Sequence, residues 1–322
     1  MEAMAAVAVV LLLTVPAIFL PHTRQYIIEP ENGTPLFNTL YGMIFGGTVT
    51  VWTQIASLLA MTAELSVLVL LNSDFELTRA KPSLFALVFL PMTLSLVPCN
   101  TLLPEQIANI FIALGLIKVF ACHSMDNASW TFFDAGLFFG IATLFCTPAA
   151  VMLVIGLIAV MVFRPIKGGE LSIFVVGFLT PITFYLAVYY LVEGTLEPLS
   201  DYLHTLITVG AGLTVTYNSI ICIAVSTLLL IIASVMILNE YPKYNLFSSR
   251  AYRLLLIMFL IVVGSTFFLP YFSIQALRLT AIPVTILYVT VFHDSKPSLW
   301  LDIFFVAFIV LNIALQILWY RL

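Results

Sequence analysis

Charge is what this chain has least of. Of its 322 residues, 12 are Lys or Arg and 16 are Asp or Glu, 9% in all, where a soluble domain carries about a quarter. So few ionic groups cannot cover a globule of this length, which excludes an aqueous exterior over most of the chain and makes lipid its solvent. A basic stripe is missing too. The net charge is −4 and the acidic residues fall mainly in short connecting segments, so a nucleic-acid partner is excluded on electrostatic grounds. Cysteine is scarce and dispersed: Cys99, Cys122, Cys146 and Cys222 form no Cys-x-x-Cys or Cys/His cluster, which excludes a zinc site of the usual spacing. A disulfide between Cys99 and Cys146 is not the expected state, and the thiols read as small apolar groups. Long polar stretches are absent, which leaves no soluble domain. No internal repeat is evident, against an inverted-repeat transporter.

What remains is apolar sequence, 62% hydrophobic and 13% aromatic, with a mean hydropathy of +1.14. Eleven segments reach or approach the ~20 apolar residues that a spanning helix needs. They are residues 3–20, 52–72, 82–98, 104–121, 131–146, 149–163, 171–192, 217–238, 254–269, 275–292 and 299–319. The expected fold is therefore all-α: a polytopic transmembrane helical bundle of about eleven spans, one integral membrane domain over 1–322. Pro148 divides residues 131–163. As a single helix that stretch would extend about 50 Å, well past a hydrocarbon core near 30 Å, so it reads as two spans. Residues 36–50 and 202–214 mix Gly, Thr and Tyr into short apolar runs and read as interfacial helices on the outer side. Only Glu2 precedes the first apolar run, with no basic n-region, so residues 3–20 read as a retained span rather than a signal peptide.

The basic residues alternate between connections. Arg79 and Lys81, then Arg164 and Lys167, then Lys243, Arg250 and Arg253, then Lys296 all fall in one set of alternate connections, whereas the intervening ones hold Arg24 and the acidic group Glu193, Glu197 and Asp201. The positive-inside rule then sets the N-terminus in the cytoplasm.

An ionisable group inside an apolar span is costly and marks a candidate site. Glu64 lies well inside the second span; a proton or cation site and a hydrogen-bonded carboxyl joining two helices are both open readings. Arg278 lies near the outer end of the tenth span. Its guanidinium can hold a phosphate or pyrophosphate through paired hydrogen bonds, and snorkelling to the outer interface is the commoner fate of such a residue. Lys118 and Asp134, near the cytoplasmic ends of consecutive spans, suit a structural ion pair. Glu105 opens the fourth span, where a carboxylate complements the helix dipole. Glu29 and Glu31 flank Pro30 in the first outer loop, and His204 reads as interfacial. The Asn32-Gly33-Thr34 triplet matches a glycosylation sequon, a pattern common by chance.

Between residues 131 and 181 an ordered series of motifs appears. It runs Phe133-Asp134-Ala135-Gly136, Gly140-Ile141-Ala142-Thr143-Leu144-Phe145 with Pro148, Phe163-Arg164-Pro165 with Glu170, and Gly177-Phe178-Leu179-Thr180-Pro181. This series resembles a family of bacterial inner-membrane proteins, found mainly in Bacteroidota and classed as a domain of unknown function. The order of apolar span, Gly-rich span with a Pro break and span ending in Arg-Pro is also similar to the core of the C-type glycosyltransferase superfamily. That resemblance implies a bacterial inner-membrane location, a glycosyltransferase-C-like core, and sugar transfer from a polyprenyl-phosphate donor at the outer leaflet. It implies Glu29 or Glu31 as the base, Glu105 as an orienting or metal-binding carboxylate, Arg278 as the phosphate clamp, and a divalent metal as the cofactor such acids often hold. The first outer loop carries Glu where the superfamily usually has Asp. Two other readings stand beside this one: a non-catalytic subunit packed against other membrane proteins, and a transporter in which Glu64 faces an aqueous pathway.

Overall fold

A computed structural model of the chain describes residues 34–46, 51–96, 102–125, 128–163, 168–195, 197–200, 245–268 and 274–294, with the single positions 306 and 310. Among these residues there is no strand, and the regular elements are helical. The expected spans at 3–20 and 217–238 and the expected interfacial helix at 202–214 lie outside the described residues, as does the expected span at 299–319 apart from positions 306 and 310, and as do Glu29, Glu31, Cys99 and His204.

The helices are α1 (Pro35–Phe45), α2 (Val51–Phe75), α3 (Pro82–Leu96), α4 (Pro104–Ala121), α5 (Ser129–Phe145), α6 (Met152–Phe163), α7 (Gly168–Glu193), α8 (Leu246–Phe268) and α9 (Ala281–Asp294). Three 3₁₀ segments join them: Cys122–Ser124, Thr147–Val151 and Ile274–Thr280. Five helical stretches among the described residues are long and apolar enough to cross a membrane: Val51–Phe75, Pro104–Ser124, Gly168–Glu193, Leu246–Ser265 and Ala276–His293. The chain is an α-helical membrane protein.

Local chemistry sets the helix ends. Thr34 caps α1 by accepting from the Phe37 N–H at 3.4 Å, Pro35 follows at the first helical position, and Gly46 ends the helix in the left-handed region at φ 64°. The helix expected over 36–50 thus closes at Phe45, where glycine makes the turn inexpensive. At the break around Pro148, α5 ends at Phe145 and a 3₁₀ turn leads into α6. The stretch 131–163 is therefore two helices.

Side-chain pairs fix the helix directions. Phe111 stacks on Phe145 at 5.8 Å, Gly115 abuts the Phe139 ring, and Lys118 meets Asp134 at 2.9 Å, so α4 and α5 run antiparallel. Gly136 lies against Phe174 and Phe178 while Gly140 lies against Phe178 and Pro181, so α5 and α7 run parallel with α6 returning between them. Ser57 pairs with Gln106 and Glu64 with Asn109, so α2 and α4 also run parallel.

These directions give the bundle two unlike ends. At one, Phe75, Phe120, Phe163 and Phe247 pack ring on ring, with centroids 5.5 to 5.9 Å apart, and the Arg250 guanidinium donates to the Phe163 carbonyl at 3.2 Å. Arg79, Lys81, Lys118, Arg250 and Arg253 belong to this end by their positions on the helices. At the other end α5 finishes and α4 and α6 begin; there the Thr34 hydroxyl donates to the Leu144 carbonyl and docks α1. The stretch Ala276–His293 is the most enclosed of the five, with 89% of its residues buried. It packs against α3, α4 and α8, and forms the centre around which they are arranged.

Candidate functional site

Two polar side chains and the main chain of a buried arginine, from three separate elements, meet inside this apolar bundle. Glu64 comes from the middle of α2, Asn109 from the second turn of α4, and Arg278 from the 3₁₀ segment that leads into α9. The Asn109 amide holds them together. Its Nδ2 donates to Glu64 Oε1 at 2.8 Å and to the Arg278 main-chain carbonyl at 2.9 Å. Both charged side chains are buried, Glu64 with 1% and Arg278 with 2% of its surface exposed. They are within electrostatic range of each other, and no direct ion pair joins them among the described residues.

The local sequence explains why Asn109 is presented so firmly. Pro104 opens α4, and Gln106 folds back to accept the Leu103 N–H at 3.1 Å while its own Nε2 donates to Ser57 Oγ at 3.0 Å. The first turn of α4 is thereby locked to α2, and Asn109 sits one turn further in. Glu64 lies eleven residues before Phe75 and Asn109 eleven before Phe120, which puts the pair at one level, ~17 Å from the aromatic end. That distance is about half the thickness of a hydrocarbon core near 30 Å.

Two atoms of this cluster lack partners. Arg278 Nη1 and Asn109 Oδ1 are buried without a hydrogen bond. A buried polar group left unsatisfied costs about 1–3 kcal/mol, more when charged, and a guanidinium keeps its charge in proteins. The snorkelling expected of Arg278 does not occur: its side chain is enclosed by the bundle. The cluster therefore offers a fixed cation with a spare donor, an amide with a spare acceptor, and a carboxyl group held by the same amide.

The other expectations fall into place around it. Glu105 is buried in the first turn of α4, one turn from Asn109. It lies within electrostatic range of Cys146. Lys118 and Asp134 form the expected ion pair, 39% and 44% exposed, where screening leaves such a pair little stabilising effect. Cys146 is a buried free thiol. Glu29 and Glu31 lie outside the described residues, so nothing here brings them to the cluster. Among the described residues no group of three His, Cys, Asp or Glu side chains comes together to hold a metal ion. An apolar cleft of about 30 Å³ opens between Thr34, Leu144, Ile182 and Leu199. Its lining offers no charge for a polar ligand, so the buried cluster is the candidate site.

Asn109 and Gln106 escaped the sequence reading. An amide in an apolar span is a weaker signal than a charge, though Pro-Glu-Gln-x-x-Asn at the start of α4 concentrates polar groups on one face. The glycines of the 131–181 series acquire a packing explanation. A methyl group on Gly136 would lie 2.2 Å from the Phe174 carbonyl oxygen, one on Gly140 2.2 Å from that of Phe178, and one on Gly177 2.3 Å from that of Phe133. The small-xxx-small spacing thus brings the backbones of α5 and α7 together.

Comparison of the chain with protein-family models, with curated proteins and with solved structures finds no match.

Proposed function

We propose that this multi-pass membrane protein binds a phosphate-bearing lipid, a polyprenyl-phosphate-linked sugar, and transfers the sugar at the outer leaflet of a bacterial inner membrane. The proposal takes the N-terminus as cytoplasmic, the aromatic and basic end of the bundle as the cytoplasmic one, and the whole chain as about eleven spans around a glycosyltransferase-C-like core. One observation carries the reading: Arg278 is buried, with Nη1 unpartnered. A guanidinium in an apolar bundle is stabilised by an anion with two or more acceptor oxygens in one plane, and a phosphodiester supplies them.

In this reading the acceptor hydroxyl oxygen attacks the anomeric carbon and its proton passes to a carboxylate, Glu29 or Glu31, with Glu105 orienting the acceptor. The anomeric carbon–oxygen bond breaks, and the polyprenyl phosphate departs with the electron pair while Arg278 steadies the growing charge. A second reading, carriage of an anion across the membrane, is favoured by the depth of the cluster and by the seven-residue 3₁₀ segment Ile274–Thr280 beside Glu64. Long 3₁₀ runs are uncommon, and discontinuous helices line the substrate sites of transporters.

The test is binding of a short-chain polyprenyl phosphoryl sugar to the protein in lipid nanodiscs, followed by turnover with a sugar acceptor. Saturable binding that Arg278→Ala weakens tenfold or more, about 1.4 kcal/mol, supports the site, and product that Glu105→Gln diminishes supports the transferase. Binding without product, together with uptake of a soluble phosphodiester into proteoliposomes, selects the transporter. No binding by folded protein rejects both and leaves a non-catalytic subunit of a membrane assembly.

A further inference from the structure

The charges in the cluster have to balance, and Glu64 and Arg278 are the two ionisable residues that Asn109 joins. α2 packs against α3 and α4. α3 carries no ionisable side chain, and α4 carries Glu105 near its first turn and Lys118 near its last. Asp74 is ten residues beyond Glu64 on α2 itself, toward the aromatic end. Arg278 acts on Glu64 electrostatically, and Asn109 bonds both elements. With Glu64 ionised and Arg278 protonated the cluster is neutral. An anion arriving at Arg278 turns it into a net negative charge in a medium of low dielectric, where unbalanced charge is expensive.

We infer that binding of an anion at Arg278 is coupled to uptake of one proton by Glu64, so that the occupied site returns to neutrality. This rests on the reading of Arg278 as the phosphate site. The step balances: ionised Glu64, protonated Arg278, a monoanionic phosphodiester and one proton become protonated Glu64 and a guanidinium–phosphodiester pair. Asn109 is suited to both states, because its Nδ2 can donate to a carboxylate or to the carbonyl oxygen of a carboxylic acid. The same coupling applies to a head group held in the bilayer and to a soluble phosphodiester reaching the site from water.

Calorimetric titration in buffers of different ionisation enthalpy counts the protons. Two probes with fixed single charge serve: a short-chain polyprenyl phosphoryl sugar in the nanodisc and dimethyl phosphate in the buffer, from about pH 6 to about pH 9. Which probe binds identifies the source of the anion. For a probe that binds, uptake climbing toward one proton per ligand at the alkaline side, with affinity falling by up to tenfold per pH unit there, is the expected result. Glu64→Gln then binds with no proton uptake and a flat pH profile, and Arg278→Ala binds neither probe. Binding to wild type with no proton uptake anywhere in the range overturns the coupling and leaves Arg278 as the anion site. Absence of binding to folded wild type overturns the phosphate-site reading and the coupling with it. The wild-type count stands by itself should Glu64→Gln fail to fold.

Discussion

At the residue scale, an apolar bundle makes each polar atom consequential. In water the Asn109 amide would be one hydrogen-bonding group among many. Here it is the joint between α2, α4 and the segment before α9, with bonds of 2.8 and 2.9 Å to Glu64 and to the Arg278 carbonyl. Asn109→Ala leaves a buried carboxylate oxygen and a carbonyl without their donor, each costing about 1–3 kcal/mol. Unfolding followed by heat or denaturant in detergent micelles is expected to show a loss of about 3 kcal/mol, whereas Asn109→Asp at low pH, able to donate one bond, is expected to recover part of it. A loss below about 0.5 kcal/mol for the alanine variant would mean that water takes over both bonds and that the cluster is not sealed.

At the element scale, the order of helices was legible from apolar length alone, and the reversal at Pro148 followed from comparing a 33-residue stretch with bilayer thickness. Helix faces were not legible. Nearly uniform apolar sequence in α5, α6 and α7 has little periodicity to say which side meets which neighbour. Glycines carried that information instead, since they mark where backbones touch. Gly136→Val is expected to force α5 and α7 apart, because its Cβ would fall 2.2 Å from one backbone atom and 2.9 Å from another, neither of them a flexible side chain. Overpacking of this kind costs about 1–3 kcal/mol or more, measurable as a lowered melting temperature. The same change at Gly42, with nothing within 4 Å, is expected to have only a small effect. The surroundings of Arg278 were misjudged. Position near a span end favoured snorkelling, but the 3₁₀ segment Ile274–Thr280 turns its side chain into the bundle, and no pattern in the local sequence announces that turn.

At the scale of the whole molecule, the described helices enclose the Glu64–Asn109–Arg278 cluster and separate two ends of different character. The aromatic end gathers the described Lys and Arg residues other than Arg278, which is the distribution the positive-inside rule associates with the cytoplasmic face. The exterior is apolar: Leu191 is 83% and Phe184 71% exposed on α7, surfaces that lipid covers. Within this envelope Arg278 is the unusual group, a buried cation whose Nη1 lacks an acceptor. A ligand that supplies one must stabilise the entire fold, because it binds the folded bundle and not the disrupted one. The most direct measurement is the melting temperature in nanodiscs of wild type and Arg278→Ala, with and without a polyprenyl phosphoryl sugar at about one hundred times its dissociation constant. The expected result is a rise for wild type corresponding to about 2.7 kcal/mol and no rise for Arg278→Ala. Equal shifts in both proteins, or none in either, would contradict the assignment of Arg278 as the phosphate-binding residue.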